Sequence, residues 1–462
     1  MIGFRYATYM KIVVLLVLSS VTIVAGCEVA PEPLKPSSKS LSIAYYDEDA
    51  FYREYGDYFD AKFPDTEIRI IPFTPYDPVI DSYKLTADMI EKEQPDLIIL
   101  NDNSLFGQLA EQEKLYDISN WVRRYYDADG VTPGILDTLR GYGNGKLYGL
   151  APFFSSTALF YNKTLFDTYK VPYPTDRMSW EEMLTLAERF TGAKNGDGKP
   201  VVGYHQAMMT EPFDLVLRVG QTYGLSTIDA ELSRVTIDTK PWNHVFTFVA
   251  DALKRGLFAQ TAVKGSESNG VKHYTIESIL QANRFLHGQA AMTLGGPSDM
   301  EPLKTAGFEW GTVTEPVDPA NPEKATSTQI YPIFCISANA QNPEKAFEVI
   351  QYFSGDNYAK VSSKINSGNT APLSIRKWFT VDRNGNSLES FYKLRPVKST
   401  IPAGGNTLQS FYPIFNGMVN DEIEEILMNK KTTKEALATL QNKGQALIDQ
   451  IKLAQKNKQA DK

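Results

Sequence analysis

Between Leu41 and Leu100 the chain switches repeatedly between a strand-like and a helix-like hydrophobic period, and few folds accommodate that alternation. Leu41-Ser42-Ile43-Ala44-Tyr45-Tyr46 has the pattern of a strand. Residues 49–62 then place Tyr52, Tyr55, Tyr58 and Phe59 on one helical face. Glu67 to Phe73 is a second, β-branched strand, and residues 78–93 form an amphipathic helix stopped at Gln94-Pro95. Asp96-Leu97-Ile98-Ile99-Leu100 reads as a strand buried on both faces. Strand, helix, strand, helix, strand implies an α/β fold with a parallel sheet and right-handed crossovers. Open sheets of this kind bind ligands beyond the carboxyl ends of their strands. That rule selects Tyr46 and Asp47 after the first strand, and Asn101 and Asp102 after the third.

Helical signals dominate further along. Ser179-Trp180-Glu181-Glu182 is a capping-box pattern, followed by Met183, Leu184, Leu186, Ala187 and Phe190 at helical spacing until Gly192. Asn342-Pro343 opens another helix, with Ala346, Phe347, Val349, Ile350 and Phe353 on its apolar face and Gly355 as its stop. Two more helices are predicted over 415–429 and 432–452, and 451–462 is a polar tail. With 42% apolar and 12% aromatic residues, sizeable cores are available. The net charge of −8 argues against nucleic acid or an anionic membrane face as the main ligand.

The N-terminus points to a compartment. Lys11 precedes the apolar run Ile12 to Val24, and Ala25-Gly26 leads into Cys27. A run this short, ending in small residues, is a secretory signal rather than a span. Val24-Ala25-Gly26-Cys27 resembles a bacterial lipobox. That resemblance implies cleavage after residue 26, a diacylglyceryl anchor on Cys27, and residence on the outer face of the cytoplasmic membrane. Residues 27–40 (CEVAPEPLKPSSKS) are then a Pro- and Ser-rich tether. With Cys27 lipidated, Cys335 is left without a disulfide partner. It sits in the apolar run IYPIFCIS and reads as a buried strand residue.

Catalytic signatures are missing. The four histidines, His205, His244, His273 and His287, form no zinc-binding pair. No nucleophile elbow and no phosphate loop occurs. Asn195-Gly196-Asp197-Gly198 and Asp127-Ala128-Asp129-Gly130 are turns rather than calcium loops, because neither continues into spaced acidic ligands. The 55 acids allow many carboxylate pairs, but nothing selects one for glycoside hydrolysis. The expectation is no enzyme, no metal and no cofactor. What stands out is aromatic residues beside polar ones: Tyr45-Tyr46-Asp47, Asn101-Asp102, Phe153-Phe154-Ser155-Ser156, Met208-Met209 and Tyr331. Such a lining suits a neutral polar ligand, with sugars stacked on aromatic faces and hydrogen-bonded by Asp and Asn.

Four segments carry a resemblance to the family 1 extracellular solute-binding proteins of ABC importers, the group that includes maltose-binding protein. They are PDLIILNDNSLFGQLAEQEKLYDIS, the block GKLYGLAPFFSSTALFYNKTLFDTYKVPYPTDRMSWEEMLTLAERFT with its Y-N-K-x-L-F signature, FLHGQAAMTLGG, and ISANAQNPEKAFEVIQYFSGDNYAKVSSKINSGNTAPL. The resemblance implies a two-lobed periplasmic-binding-protein-like fold with a central ligand cleft and three interlobe crossings, near 150–156, 293–297 and 338–341. One lobe would join 41–150 to 298–338, the other 157–292 to 342–450. Tyr46, Asp47, Asn101 and Asp102 would face the cleft from the first lobe. Phe154, Ser155, Gly295, Gly296 and Tyr331 would complete it near the crossings. Lobe closure on a carbohydrate, and delivery to the transmembrane subunits of an ABC permease by a lipid-anchored monomer, are the implied function and partners. A secreted polysaccharide-acting enzyme, or a receptor that senses without transport, are the alternatives. Many sugar-binding members carry Trp after the glycine pair; here Pro297-Ser298-Asp299 follows, so that stacking platform is absent or supplied elsewhere. In this reading Asp102→Ala abolishes binding and leaves the melting temperature nearly unchanged.

Overall fold

The alternation at the start of the chain is realised as a parallel strand trio. Strands β1 (Ser40–Tyr45), β2 (Glu67–Pro72) and β3 (Leu97–Leu100) pair in parallel with β1 central, and β4 (Gly149–Leu150) lies further along the chain. The first helix changes pitch: Glu48–Phe51 and Asp57–Lys62 are α-helical, with a π-helical turn over Tyr52–Gly56 between them. A second helix covers Ser82–Glu93. The computed structural model describes residues 39–74, 82–207, 209, 211–259, 263, 265–268, 271–365, 372–398 and 405–460. The signal, Cys27, the tether up to residue 38, and Met208 lie outside the described residues.

Beyond β4 run β5 (Phe153–Ser155), β6 (Ala158–Asn162), β7 (Val202–His205) and β8 (Phe258–Ala259). A small hairpin, β9 (Ser266–Ser268) with β10 (Val271–His273), precedes β11 (Ala290–Gly295) and β12 (Trp310–Thr314). The last strands are β13 (Lys324–Ala325), β14 (Gln329–Ile330), β15 (Ile333–Ile336), β16 (Leu373–Ser374) and β17 (Arg395–Pro396). They assemble into two five-stranded sheets, ordered β2-β1-β3-β15-β4 and β12-β6-β11-β7-β8, one per lobe. A three-stranded sheet, β14-β5-β16, joins them, and all its pairings are antiparallel.

That small sheet places the crossings. The chain leaves the first sheet at β4, passes through β5 and enters the second at β6, as expected. The other two differ from expectation. At 293–297 the chain stays with the second sheet, because Trp310–Thr314 pairs residue for residue with Asn162–Ala158 of β6. It returns between β12 and β15, through β14, and its next passage through the joining sheet is at β16 rather than near 338–341; β17 beyond it still packs on helix Ile135–Tyr142 of the first lobe. The lobe assignments shift accordingly: 310–314 belongs to the second sheet, and helix Pro343–Phe353 packs on β15 and β4 of the first. The reason is physical. β14 and β16 are two residues each, too short to carry a hydrophobic period, so the sequence cannot announce them.

Each lobe has its own core. In the first, the rings of Tyr45, Phe51, Tyr55, Phe334 and Phe353 meet edge-on or stacked at centroid separations of 5.3–6.2 Å. Cys335 is fully buried there, donating to Ile98 O at 3.3 Å, and burial pushes its thiol pKa up. The buried carboxylate of Asp96 ties three elements: Oδ2 accepts from Ser42 N and Ser42 Oγ of β1, and Oδ1 from Asn342 N at the start of the Pro343 helix. In the second lobe, helices Trp180–Glu188, Pro212–Thr222 and Lys240–Lys254 pack with the long pair Gly405–Leu427 and Thr433–Ala460. The capping box at Ser179 forms in both directions, at 3.1 and 2.8 Å. Helix Gly405–Leu427 starts ten residues before the expected 415 and runs through Pro413, which reads as a breaker in isolation. The aspartate turn at 127–130 is held by Arg376, whose buried guanidinium pairs with Asp127 and with Asp356 at 2.6 Å. Among the described residues no helix is long and apolar enough to cross a membrane.

Candidate functional site

Beside β14 lies a cavity of about 580 Å³ with walls from both lobes. The first lobe contributes Asn101, Asp102, Asn103 and Ser104 at the start of helix Asn103–Glu111, with Tyr142 behind them. The second contributes the last turns of helix Pro212–Thr222, from Arg218 to Thr222, followed by Tyr223. Thr326, Ser327, Thr328 and Gln329, on the crossing itself, close the third side. Asn101 and Asp102, which the carboxyl-end rule selected, follow β3 directly and form one wall of this interlobe space.

The floor of the cavity is a polar knot that the sequence did not reveal. Glu315, just past β12, is 4% exposed. Its Oε1 accepts from Ser327 Oγ at 2.6 Å, and its Oε2 from Arg218 Nη2 at 3.1 Å and from Thr157 Oγ1. Arg218 Nη2 also donates to Thr157 Oγ1 at 2.8 Å. A carboxylate taken out of water needs such neutralisation and hydrogen bonding to remain charged. The four residues come from two crossing segments, the end of a sheet strand and a helix. No local pattern links them; the one available hint was an acid at the end of a strand.

The expected site residues do not all converge. Asn101 Nδ2 donates to Tyr46 Oη at 3.0 Å, which joins the ends of β1 and β3 beside the cavity. Asp47 is an N-cap instead: its Oδ1 accepts from Ala50 N at 2.7 Å. Asp102 lines the cavity and is also an N-cap, with Oδ1 accepting from Ser104 N at 2.7 Å and Leu105 N at 3.1 Å. Its replacement by alanine is therefore expected to cost about 1 kcal/mol of stability, measurable by chemical denaturation. In a chain this long that cost moves the melting temperature by only about 2 °C or less, within the small change expected.

Phe154 is 2% exposed and packs edge-on against Tyr392, away from the cavity. Ser155, its half-exposed neighbour, pairs with Gln329 across β5 and β14. Tyr331 is half-buried; its N–H bonds Phe153 O at 3.2 Å, and burial raises its phenol pKa. Gly295 and Gly296 end β11, where Gly296 N donates to Asp299 Oδ2 at 2.8 Å. Burial raises the Asp299 carboxyl pKa. A side chain at Gly295 would meet that same oxygen, at 2.6 Å. The turn after them faces a second, much tighter space of about 80 Å³ beside β16, lined by Phe153, Pro297, Ser298, Leu373 and Tyr392. The turn after the glycine pair and the Asn101 wall thus border different cavities, at opposite edges of the crossing sheet.

Residues 44–360 match the family described as bacterial extracellular solute-binding protein. A Brucella abortus protein, named only as a binding protein, is 25% identical over 318 residues, covering 65% of this chain and 68% of that one. Among solved structures, a sugar transporter of Rhizobium etli in an open conformation aligns with a TM-score of 0.60 at 16% identity, covering 89% of this chain and 99% of that one. An ABC substrate-binding protein of Listeria monocytogenes in complex with cycloalternan aligns with a TM-score of 0.53 at 20% identity, over 89% and 99% of the two chains.

Proposed function

We infer the function from one premise: this chain belongs to the bacterial extracellular solute-binding protein family. It captures a carbohydrate, an oligosaccharide, in the cavity between its lobes and hands it to the transmembrane subunits of an ABC permease. The observation that carries this reading is the cavity of about 580 Å³ whose walls come from both lobes and a crossing segment. A solute touching both walls would favour the closed arrangement by its differential affinity for it. The wall chemistry is amide, hydroxyl and charge, with Tyr142 and Tyr223 as its aromatic surfaces, which suits a ligand rich in hydroxyls. The description of the Rhizobium protein as a sugar transporter and the cycloalternan held by the Listeria protein agree with that lining.

The receptor works as a monomer at the outer face of the cytoplasmic membrane, held by lipid on Cys27 and spaced from it by residues 28–40. The ligand leaves chemically unchanged. Tyr46, Asp47, Asn101, Asp102, Phe154, Ser155, Gly295, Gly296 and Tyr331 divide in this reading into two groups. Asn101 and Asp102 touch solute, with Tyr46 beside Asn101; the remainder shape the cap, the crossings and the turn behind the glycine pair.

The test is a thermal-shift screen of residues 39–462 against mono- and oligosaccharides, amino acids and short peptides. A saccharide that binds only the folded form is expected to stabilise by about 2.7 kcal/mol at a hundred times Kd, and chromatography should return it intact. A shift with amino acids or peptides alone, or breakdown of the saccharide, would remove the carbohydrate-receptor reading.

A further inference from the structure

Arg218 is held through one nitrogen. Nη2 makes both bonds to the knot, to Thr157 and Glu315, while Nε and Nη1 have no acceptor among the described residues. The guanidinium lines the cavity with its side chain 22% exposed, so these unspent N–H groups belong to a half-buried group in the solute's space. Two further cations line the same cavity without a carboxylate partner among the described residues. Lys324 makes no ion pair, and Lys398 reaches Gly141 O at 3.4 Å and lies over the Tyr142 ring at 5.2 Å.

Most carboxylate oxygens in and beneath the cavity already accept from the protein, and Asp102 keeps Oδ2 for the solute. Both Glu315 oxygens are taken by the knot. Asp318 accepts from Ala320 N and from Asn321 Nδ2, and Asp102 caps its helix through Oδ1. The lining carries three cations and two acids, and the buried Glu315 beneath Arg218 brings the formal charge to zero. Bulk attraction therefore decides little. What remains unequal is hydrogen bonding: charged donors are left over, and the charged acceptors are largely spent. Charge-assisted bonds from a fixed guanidinium are the strong and directional ones.

We propose that the solute carries a carboxylate, making it an acidic saccharide, received by the unspent N–H groups of Arg218 with Lys324 and Lys398 in the same cavity. This rests on the reading of the cavity as a saccharide site and narrows it. If Arg218 served only to neutralise Glu315, a lysine would do the same work.

The experiment is calorimetric titration and thermal shift with short oligouronates of galacturonate, glucuronate and mannuronate, and with the same oligomers after carboxyl reduction. One oligouronate is expected to bind, with its reduced form weaker by about tenfold or more. In Arg218→Lys the charge beside Glu315 is kept, so the melting temperature should stay near wild type while oligouronate affinity falls by a similar factor. Should that variant fail to fold, Lys324→Gln, outside the buried knot, decides: the acidic-to-neutral affinity ratio must fall. A reduced oligomer that binds as tightly as its parent, wild-type affinity in Arg218→Lys, or an unchanged ratio in Lys324→Gln overturns the acidic ligand and leaves a neutral-saccharide receptor standing. Absence of any shift with neutral and acidic saccharides alike overturns both.

Discussion

Phe154→Ala is expected to lower the unfolding free energy by about 3–5 kcal/mol. The side chain is 2% exposed on β5, the middle strand of the sheet that joins the lobes. Its ring meets Tyr392 at 5.3 Å and 85°, and its backbone pairs with Ile330 on one side and Leu373 on the other. Truncation leaves a cavity that three crossing strands cannot collapse without losing their register. A ligand-stacking phenylalanine would behave in the opposite way, with stability kept and affinity lost. Urea denaturation of the variant with and without saccharide separates the two; a midpoint equal to wild type would return Phe154 to the binding surface.

The second large effect lies far from the cavity. Gly203→Ala is expected to destabilise by about 3 kcal/mol or more, the upper end for overpacking. Gly203 is on β7, whose neighbour across the layer is helix Trp180–Glu188. A Cβ there would overlap the Ala187 carbonyl, with the carbonyl carbon 2.5 Å away. Those are main-chain atoms, so no rotamer change relieves the clash, and helix and strand would have to separate. Gly196→Ala is the matched control, because a Cβ there meets nothing within 4 Å. It should change stability by less than about 0.5 kcal/mol. Parallel melting curves of the two variants check the pair, and similar midpoints would show that the helix–strand spacing is slack.

The capping box at Ser179 and Glu182 was legible because both partners lie within one helical turn, and both bonds form. The same holds for β1, β2 and β3, whose side chains alternate or run apolar over a handful of adjacent residues. Cys335 was legible as a buried strand residue on the same ground. Asp47 and Asp102 were found as polar residues at strand ends, but their capping bonds depend on the helices that follow turning immediately. That is why a position chosen for ligand chemistry also carries stability.

The Glu315 knot draws on Thr157, Arg218 and Ser327, separated from Glu315 by 158, 97 and 12 positions. Nothing in the neighbourhood of any one of them distinguishes it from a surface residue. The crossings were displaced for a related cause: Trp310–Thr314 suits either lobe by composition, and its partner is decided by the edge of β6 that the fold leaves open. Helix Gly405–Leu427 passes Pro413 although a proline inside a helix is locally unfavourable, with Phe411 and Phe415 stacked in the second core on either side of it.

By itself, then, the sequence determined the α/β class, the parallel trio, the family and one wall of the cavity. Each of these is written in periodicity, caps and short motifs that act over a few residues. Only the tertiary structure decided where the chain crosses, which cavity the turn at Pro297 and the aromatic residues border, and which acid is buried beneath Arg218. Those outcomes are pairings between distant segments, selected by which packing buries apolar surface while leaving no charge without a partner.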